Sequence, residues 1–362
     1  MDVERKGPQV LDLSRSARSG PALQIEASAA AEVLMSLFLM TGNCDFATYD
    51  LPTERLEEIK SSVAADLRAD LDELATGSEV MAQVIGFVSE LDPPRDVAAL
   101  VAHLAAADPV EIQLALLGYY QHPHPEAPPA LIRAVAGGDE HARAALVRAA
   151  AGYPDWFPQL DNLLQLGPDR IKQLLLSILP RWHEEVWPGF GIDMGALEAD
   201  AEAKRGQART VPLDQLIETA TNGFQYTYDP RTRRILLFPS AVLKPWMVHH
   251  DHKDQKILCY PVPDEPAAPG TMTTTQLARF YKALGDEGRL RLLQRLARGS
   301  LTLSAAAEEL GVAKSTAHHH LGLLRHAGLV LIREENTEKT WTLRRDLLPQ
   351  AGEILNDFLG RG

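Results

Sequence analysis

Residues 301–334 read LTLSAAAEELGVAKSTAHHHLGLLRHAGLVLIRE, and the fold of the C-terminal part turns on them. Leu301 to Leu303 is a short extended piece, and Ser304 is placed to cap a helix over Ala305 to Leu310. Gly311 supplies a turn, and a longer helix runs from Lys314 to Ala327 until Gly328 stops it. Short helix, glycine turn, longer helix is the spacing of a helix-turn-helix. Ala317, Leu321 and Leu324 recur at intervals of four and three, so they face a core. The other side carries Ser315, His318, His319, Gly322 and His326, flanked by Lys314 and Arg325.

Working outward, Leu277, Phe280, Tyr281 and Leu284 share one face of a helix over Gln276 to Leu284. Asp286 is a cap for the next helix, which carries Leu290, Leu293, Leu296 and Ala297 and ends at Gly299. Beyond Gly328, Leu329 to Arg333 and Thr340 to Leu343 read as two strands around a wing at 335–338. Asp346 to Leu359 closes the domain as an amphipathic helix.

The runs FYKALGDEGRLRLLQRLARG at 280–299, the quoted stretch at 301–334 and TWTLRRD at 340–346 together resemble the ArsR-type winged-helix regulators. That resemblance implies a homodimeric repressor of double-stranded DNA with the helix 314–327 in the major groove. It implies that Lys314, Ser315, Thr316, His318 and His319 face DNA. A helix presenting hydroxyl, imidazole and cationic groups reaches base edges and phosphates together, and Arg325, Arg333 and Lys339 add cations beside it and around the wing. Many relatives have proline or threonine where Glu287-Gly288 stands here.

Some members of that family sense metals through a cysteine pair in the third helix, or through Asp and His in the last. Ala305 to Leu310 holds no cysteine and the last helix no histidine, so no metal or cofactor is expected. His318, His319 and His320 point about 100° apart on a helix and cannot converge on one ion.

Upstream, Pro261 to Gly270 holds four prolines, two acids and a glycine and reads as a linker. Before it, Phe224 to Tyr228, Ile235 to Phe238 and Lys256 to Tyr260 read as strands, with Asp229-Pro230-Arg231 as a turn. They suggest a small antiparallel layer at 224–260. Helical spacing dominates earlier. Ser28 precedes an apolar helix, and Leu56, Ile59, Val63, Leu67, Leu71 and Leu74 form one stripe after Thr53. Ser78 is placed to cap another helix, over Val80 to Leu91.

The expected fold class is therefore mainly α. A peripheral segment at 1–22 precedes a helical regulatory, effector or dimerisation domain at 23–260, a linker at 261–270 and a winged helix-turn-helix domain at 271–362. The layout and the positions of Trp182, Trp187 and Phe190 resemble larger actinobacterial-type members with a helical N-terminal domain of unassigned function.

From Thr271 onward 13 Lys+Arg stand against 10 Asp+Glu, or +3; the other 23 basic and 39 acidic residues leave −16. Phosphate repels an acidic body, so DNA contact belongs to the C-terminal part, which is expected to bind duplex alone. Two distant cysteines and the lack of a spanning or signal segment suggest a reduced, cytoplasmic setting without membrane contact.

In the large upstream part no nucleophile elbow, phosphate loop or His-Glu-x-x-His helix occurs, so an enzyme is not expected. The alternative is an enzyme or protein-docking scaffold with the winged helix as a targeting appendage. His249, His250, Asp251, His252 and Asp254 are the densest set of potential ligands, read as a polar loop. Trp182, Trp187, Phe190, Phe224, Tyr226 and Tyr228 are candidates for an effector pocket, weighed against ordinary packing.

Overall fold

The computed structural model describes residues 20–42, 44–75, 80–121, 127–150, 157–227, 229–263, 274–335, 338–345, 355–356 and 358–360. Its chain forms two compact units, one of residues 1–206 with 229–262, the other of 207–228 with 263–362. The expected helix at 346–359 and the linker from residue 264 fall largely outside the described residues, as do Ser78 and the wing tip at 336–337.

In the first unit, β1 (Ala22–Ile25) leads into α1 (Ala29–Thr41), whose cap is Ser28 accepting from the Ala31 amide at 3.1 Å. The stripe from Leu56 to Leu74 is buried as expected, but it belongs to two helices, α2 (Thr53–Ser62) and α3 (Ala65–Ala75). The break at Val63 is closed by Arg68, whose Nη2 donates to the carbonyls of Lys60, Ser61 and Val63. Short helices follow: α4 (Val80–Gln83), α5 (Ile85–Val88), α6 (Val97–Ala106), α7 (Pro109–Leu116), α8 (Pro129–Ala136) and α9 (Glu140–Ala150). The long α10 (Phe157–Arg181) is kinked at Gly167, whose φ of 73° no helical residue adopts. α11 (Met194–Gln207) ends the run.

The sheet of this unit has the order β1, β3 (Arg234–Ser240), β5 (Gln255–Pro261), β4 (Val248–His252). The expected antiparallel layer is thus corrected to a mixed sheet: β1–β3 and β3–β5 run parallel and only β4–β5 is antiparallel. Parallel strands are buried on both faces, which is why β3 and β5 are near-continuous apolar runs. Leu236, Phe238, Ile257 and Cys259 join the helical core, while Tyr260 points the other way and donates its hydroxyl to Asp200 of α11 at 2.7 Å. Glu32 of α1 is buried beneath the sheet, its Oε1 accepting from the amides of Ala241 and Val242 at 2.7 and 2.8 Å.

The second unit holds α12 (Leu213–Ala220), β2 (Phe224–Tyr226), α13 (Thr274–Leu284), α14 (Glu287–Leu296), β6 (Leu301–Thr302), α15 (Leu303–Leu310), α16 (Lys314–His326), β7 (Val330–Glu335) and β8 (Glu338–Leu343). Its sheet has the order β2, β7, β8, β6. The strand at Phe224 exists, but it leaves the expected upstream layer and pairs parallel with β7, Phe224 opposite Ile332 and Gln225 opposite Arg333. A three-residue strand has too little pattern to specify its partner. Phe280, Leu292, Leu296, Leu321, Leu324 and Trp341 form the core.

Residues 207–228 therefore group with the C-terminal part rather than with the expected domain at 23–260, while the division between residues 262 and 263 falls within the expected linker at 261–270. Redrawn on these units, 207–228 with 263–362 carries 14 Lys+Arg and 14 Asp+Glu, net 0, so the whole −13 lies in the other unit.

Candidate nucleic-acid interface

The helix pair is built from ordinary local signals. Thr302, rather than the expected Ser304, caps α15 by accepting from the Ala305 amide at 3.2 Å. Gly311 ends α15 at φ 70°, the left-handed residue that a helix C-terminus favours, and Lys314 opens α16. Asp286 caps α14 from the Arg289 amide at 2.9 Å, and this bond lowers its pKa.

Ala317, Leu321 and Leu324 are fully buried, so the orientation of α16 is set by its apolar positions. Lys314, Ser315, Thr316 and His318 are exposed at its first turns and His319 is half-buried. The unpaired amides at that end add partial positive charge to the Lys314 cation. The His318 ring lies edge-on to Trp341, centroids 6.3 Å apart. Loss of water on that side, then the charges of Lys339 and Arg325, lower its pKa, so it is a neutral donor and acceptor near pH 7. His319 meets His320 edge-on, and His320 approaches Asp286 at 3.7 Å.

The rear half of α16 differs from the expectation. Gly322 is buried, His326 is half-buried, and its carbonyl accepts from Asn222 Nδ2 at 2.8 Å. Arg325 is corrected from a DNA contact to an internal one. It is 4 % exposed, and its Nη1 donates to the Thr221 carbonyl at 2.7 Å. Burial pulls its pKa down to about 10, leaving it a cation at neutral pH. Around the wing Lys339 and Arg333 are exposed, and Arg333 Nε and Nη2 donate to Gln225 Oε1 at 3.3 and 3.2 Å. Arg344 Nη2 reaches Glu218 at 3.1 Å.

Thr221, Asn222, Gln225 and Glu218 were not foreseen at this site. Asn222-Gly223 is a turn signal, and both residues have positive φ, 54° and 104°. A turn signal does not say which element the chain will meet afterwards.

The other candidate clusters do not assemble as ligand sites. The expected polar loop is corrected to a strand: His250 and His252 share a buried face of β4. His252 Nε2 is spent on Glu90 Oε1 at 2.6 Å, and burial holds His250 down to about pKa 3. Burial works against the Glu90 carboxylate, but hydrogen bonds from His252 and Lys253 outweigh it and hold its pKa at about 2. Among the described residues no three of His, Cys, Asp and Glu gather closely enough for a metal ion. Trp182 and Phe190 are buried in the first unit, with Trp182 donating to Ser36 at 2.9 Å, whereas Phe224 and Tyr226 belong to the second. Among the described residues no single helix is long and apolar enough to cross a membrane.

A helix pair joined by a glycine turn and followed by a two-stranded wing defines a DNA-binding transcriptional regulator of the winged helix-turn-helix class. The helix-turn-helix domain model matches residues 284–333. Over 82 residues the chain is 41 % identical to an uncharacterized HTH-type transcriptional regulator of Methanocaldococcus jannaschii, covering 92 % of that protein and 22 % of this chain. It is 34 % identical over 89 residues to the HTH-type transcriptional regulator CmtR of Mycobacterium tuberculosis, covering 75 % of it and 24 % of this chain. A transcriptional repressor SmtB homolog of Synechocystis is 41 % identical over 58 residues, 44 % of its length and 16 % of this chain. No solved structure matches the chain. The chain belongs to the ArsR/SmtB-type helix-turn-helix transcriptional regulators.

Proposed function

We propose that this chain is a dimeric, sequence-specific repressor that lays the start of α16 in the major groove and is not an enzyme. One observation carries the reading. Lys314, Ser315, Thr316 and His318 are exposed together at the N-terminal end of α16, while Ala317, Leu321 and Leu324 anchor its opposite face. Lys314, next to the positive helix end, takes phosphate; Ser315, His318 and His319 take base edges. Arg333 and Lys339 contact the flanking backbone. The acidic unit stays off the DNA and supplies dimer contacts or an effector site, because like charge keeps it from phosphate.

The test is titration of duplexes selected from a random pool by the full-length protein, against scrambled controls, at several salt concentrations. Lys314→Ala weakens both alike and makes the salt slope shallower by about one. His319→Ala costs on the order of 1–3 kcal/mol on selected duplex and much less on scrambled. An unchanged selected-to-scrambled ratio in His319→Ala, with a collapsed one in Lys314→Ala, overturns the helix orientation. Sedimentation of the protein–duplex complex reads the stoichiometry, and one chain per duplex removes the dimer.

A further inference from the structure

In the first unit, residues 229–232 ahead of β3 and the turn of the β4–β5 hairpin border a polar cavity of about 60 Å³. Its wall includes Tyr120, Asp229, Arg231, Asp251, Lys253 and Gln255. A water needs roughly 10–15 Å³ of such space, so the cavity holds about four water-sized groups.

One atom in that wall lacks a partner. Gln255 is 6 % exposed, and among the described residues nothing donates to its Oε1. A buried acceptor without a donor is costly, and here it faces a space that a donor from outside can enter. The charges around it are matched instead. Arg231 pairs with Asp229 at 2.6 Å, Lys253 with Glu90 at 2.7 Å and Lys256 with Asp251 at 3.1 Å. A charged ligand would have to compete with one of these pairs, whereas a neutral one leaves them whole. A hydroxyl meets both demands: it donates to Gln255 Oε1, and its lone pairs accept from Lys253 or Arg231. Neighbouring hydroxyls on a carbon chain are spaced much as hydrogen-bonded waters are. The Tyr120 ring gives their carbon skeleton an apolar wall, and its own hydroxyl is held by donating to Glu111 at 2.8 Å.

The cavity wall is also close along the chain to the wing sheet. Asp229 follows Tyr226, the last residue of β2, by three positions, and β2 pairs with β7. We propose that this cavity is the effector site of the first unit, taking the hydroxyl-bearing end of a neutral sugar or polyol. Ligand contacts to Asp229 and Arg231 then act on β2 through the intervening backbone. The effect on DNA rests on the regulator reading, so binding to the cavity is measured separately.

Full-length protein is tested by saturation-transfer NMR against glycerol, myo-inositol and D-glucose at millimolar concentration, with inorganic phosphate and ethanolamine as charged controls. Transfer to at least one neutral probe and to neither charged one is expected. Gln255→Met keeps the volume but loses the acceptor. It weakens that binding about tenfold, while the ligand-free variant melts no lower than wild type. Lys253→Met, at a side chain 45 % exposed, weakens binding without touching the core; should Gln255→Met melt lower, this second variant decides. At saturation the bound probe weakens selected duplex binding about fivefold in the wild type, and not in Gln255→Met.

No transfer to any neutral probe overturns the proposal, as does transfer that both variants leave untouched. Binding of phosphate or ethanolamine that Gln255→Met abolishes overturns the ligand class. Probe binding with unchanged duplex affinity overturns the effector role. If the wild type selects no duplex, the regulator reading falls, while saturation transfer still decides the cavity.

Discussion

Arg325 Nη1 donates to the carbonyl oxygen of Thr221 at 2.7 Å, joining the end of α16 to the residue that caps α12, 104 positions upstream. The contact is buried, and burial costs the cation enough to lower its pKa to about 10. Arg325→Ala leaves the Thr221 carbonyl without its donor and opens a cavity, so unfolding of this unit becomes easier by about 1–3 kcal/mol. The salt slope of DNA binding stays at the wild-type value, because Arg325 is not a phosphate contact. A slope reduced by a full charge would restore Arg325 to the interface.

The fragment 271–362 lacks α12 and β2, and with them the acceptors of Arg325, Arg333 and Arg344. It is expected to melt well below the intact unit and to bind duplex weakly. A synthetic peptide of residues 207–228 added to that fragment restores protection of the β7 amides in hydrogen exchange, Ile332 first, since its amide bonds to Gly223. No change on adding the peptide refutes the two-segment unit.

Glu32 is fully buried and burial raises its pKa from 4.5 to about 7, although amides of Ala241 and Val242 favour its charged form. A raised folded pKa means that the folded state holds a proton the unfolded chain has lost. The stabilisation is present below pH 4.5 and is lost as pH rises through about 7, by on the order of 3 kcal/mol. Glu32→Gln keeps Oε1 for both amides and removes the titration. Urea melts from pH 5 to 8 should fall with pH for the wild type and stay level for Glu32→Gln, which is then the more stable protein at pH 8. Parallel curves would show that Glu32 does not titrate in this range.

Gly86 is fixed by a neighbour rather than by its backbone. A Cβ there would lie 2.4 Å from Nδ1 of His252, whose other nitrogen is held by Glu90. Gly86→Ala should cost about 1–3 kcal/mol by overpacking. In a His252→Ala background the same change should cost much less, and additive costs in thermal melts would place the strain elsewhere.

The helical face Ala317, Leu321 and Leu324 was legible because its periodicity is set by residues that must be buried wherever the helix docks. The caps at Ser28 and Asp286 were legible for the same local reason. Arg325 was misread because a charged residue beside an exposed face has the same pattern whether it points to solvent or to a carbonyl supplied from residue 221. The strand at Phe224 was visible in composition, but its partner was not. The strands expected to pair with it, β3 and β5, complete their own sheet with β1 and β4. Exposure at Lys314, Ser315 and Thr316 followed from the helix phase, whereas the Gln225–Arg333 pairing depends on a register that neither short strand specifies alone.

β2 also has a history before the chain is complete. Gln225 leaves the ribosome 108 residues ahead of Arg333, its register partner. At about 5–20 residues per second the strand waits roughly 5–20 s without its neighbour. Meanwhile residues 229–262 are made and complete their own sheet with β1, already synthesised. The nascent chain must keep a three-residue edge idle while the sheet on its C-terminal side closes. A ribosome stalled between residues 263 and 329 therefore carries the first unit ready to fold and the DNA reader split, half made and waiting.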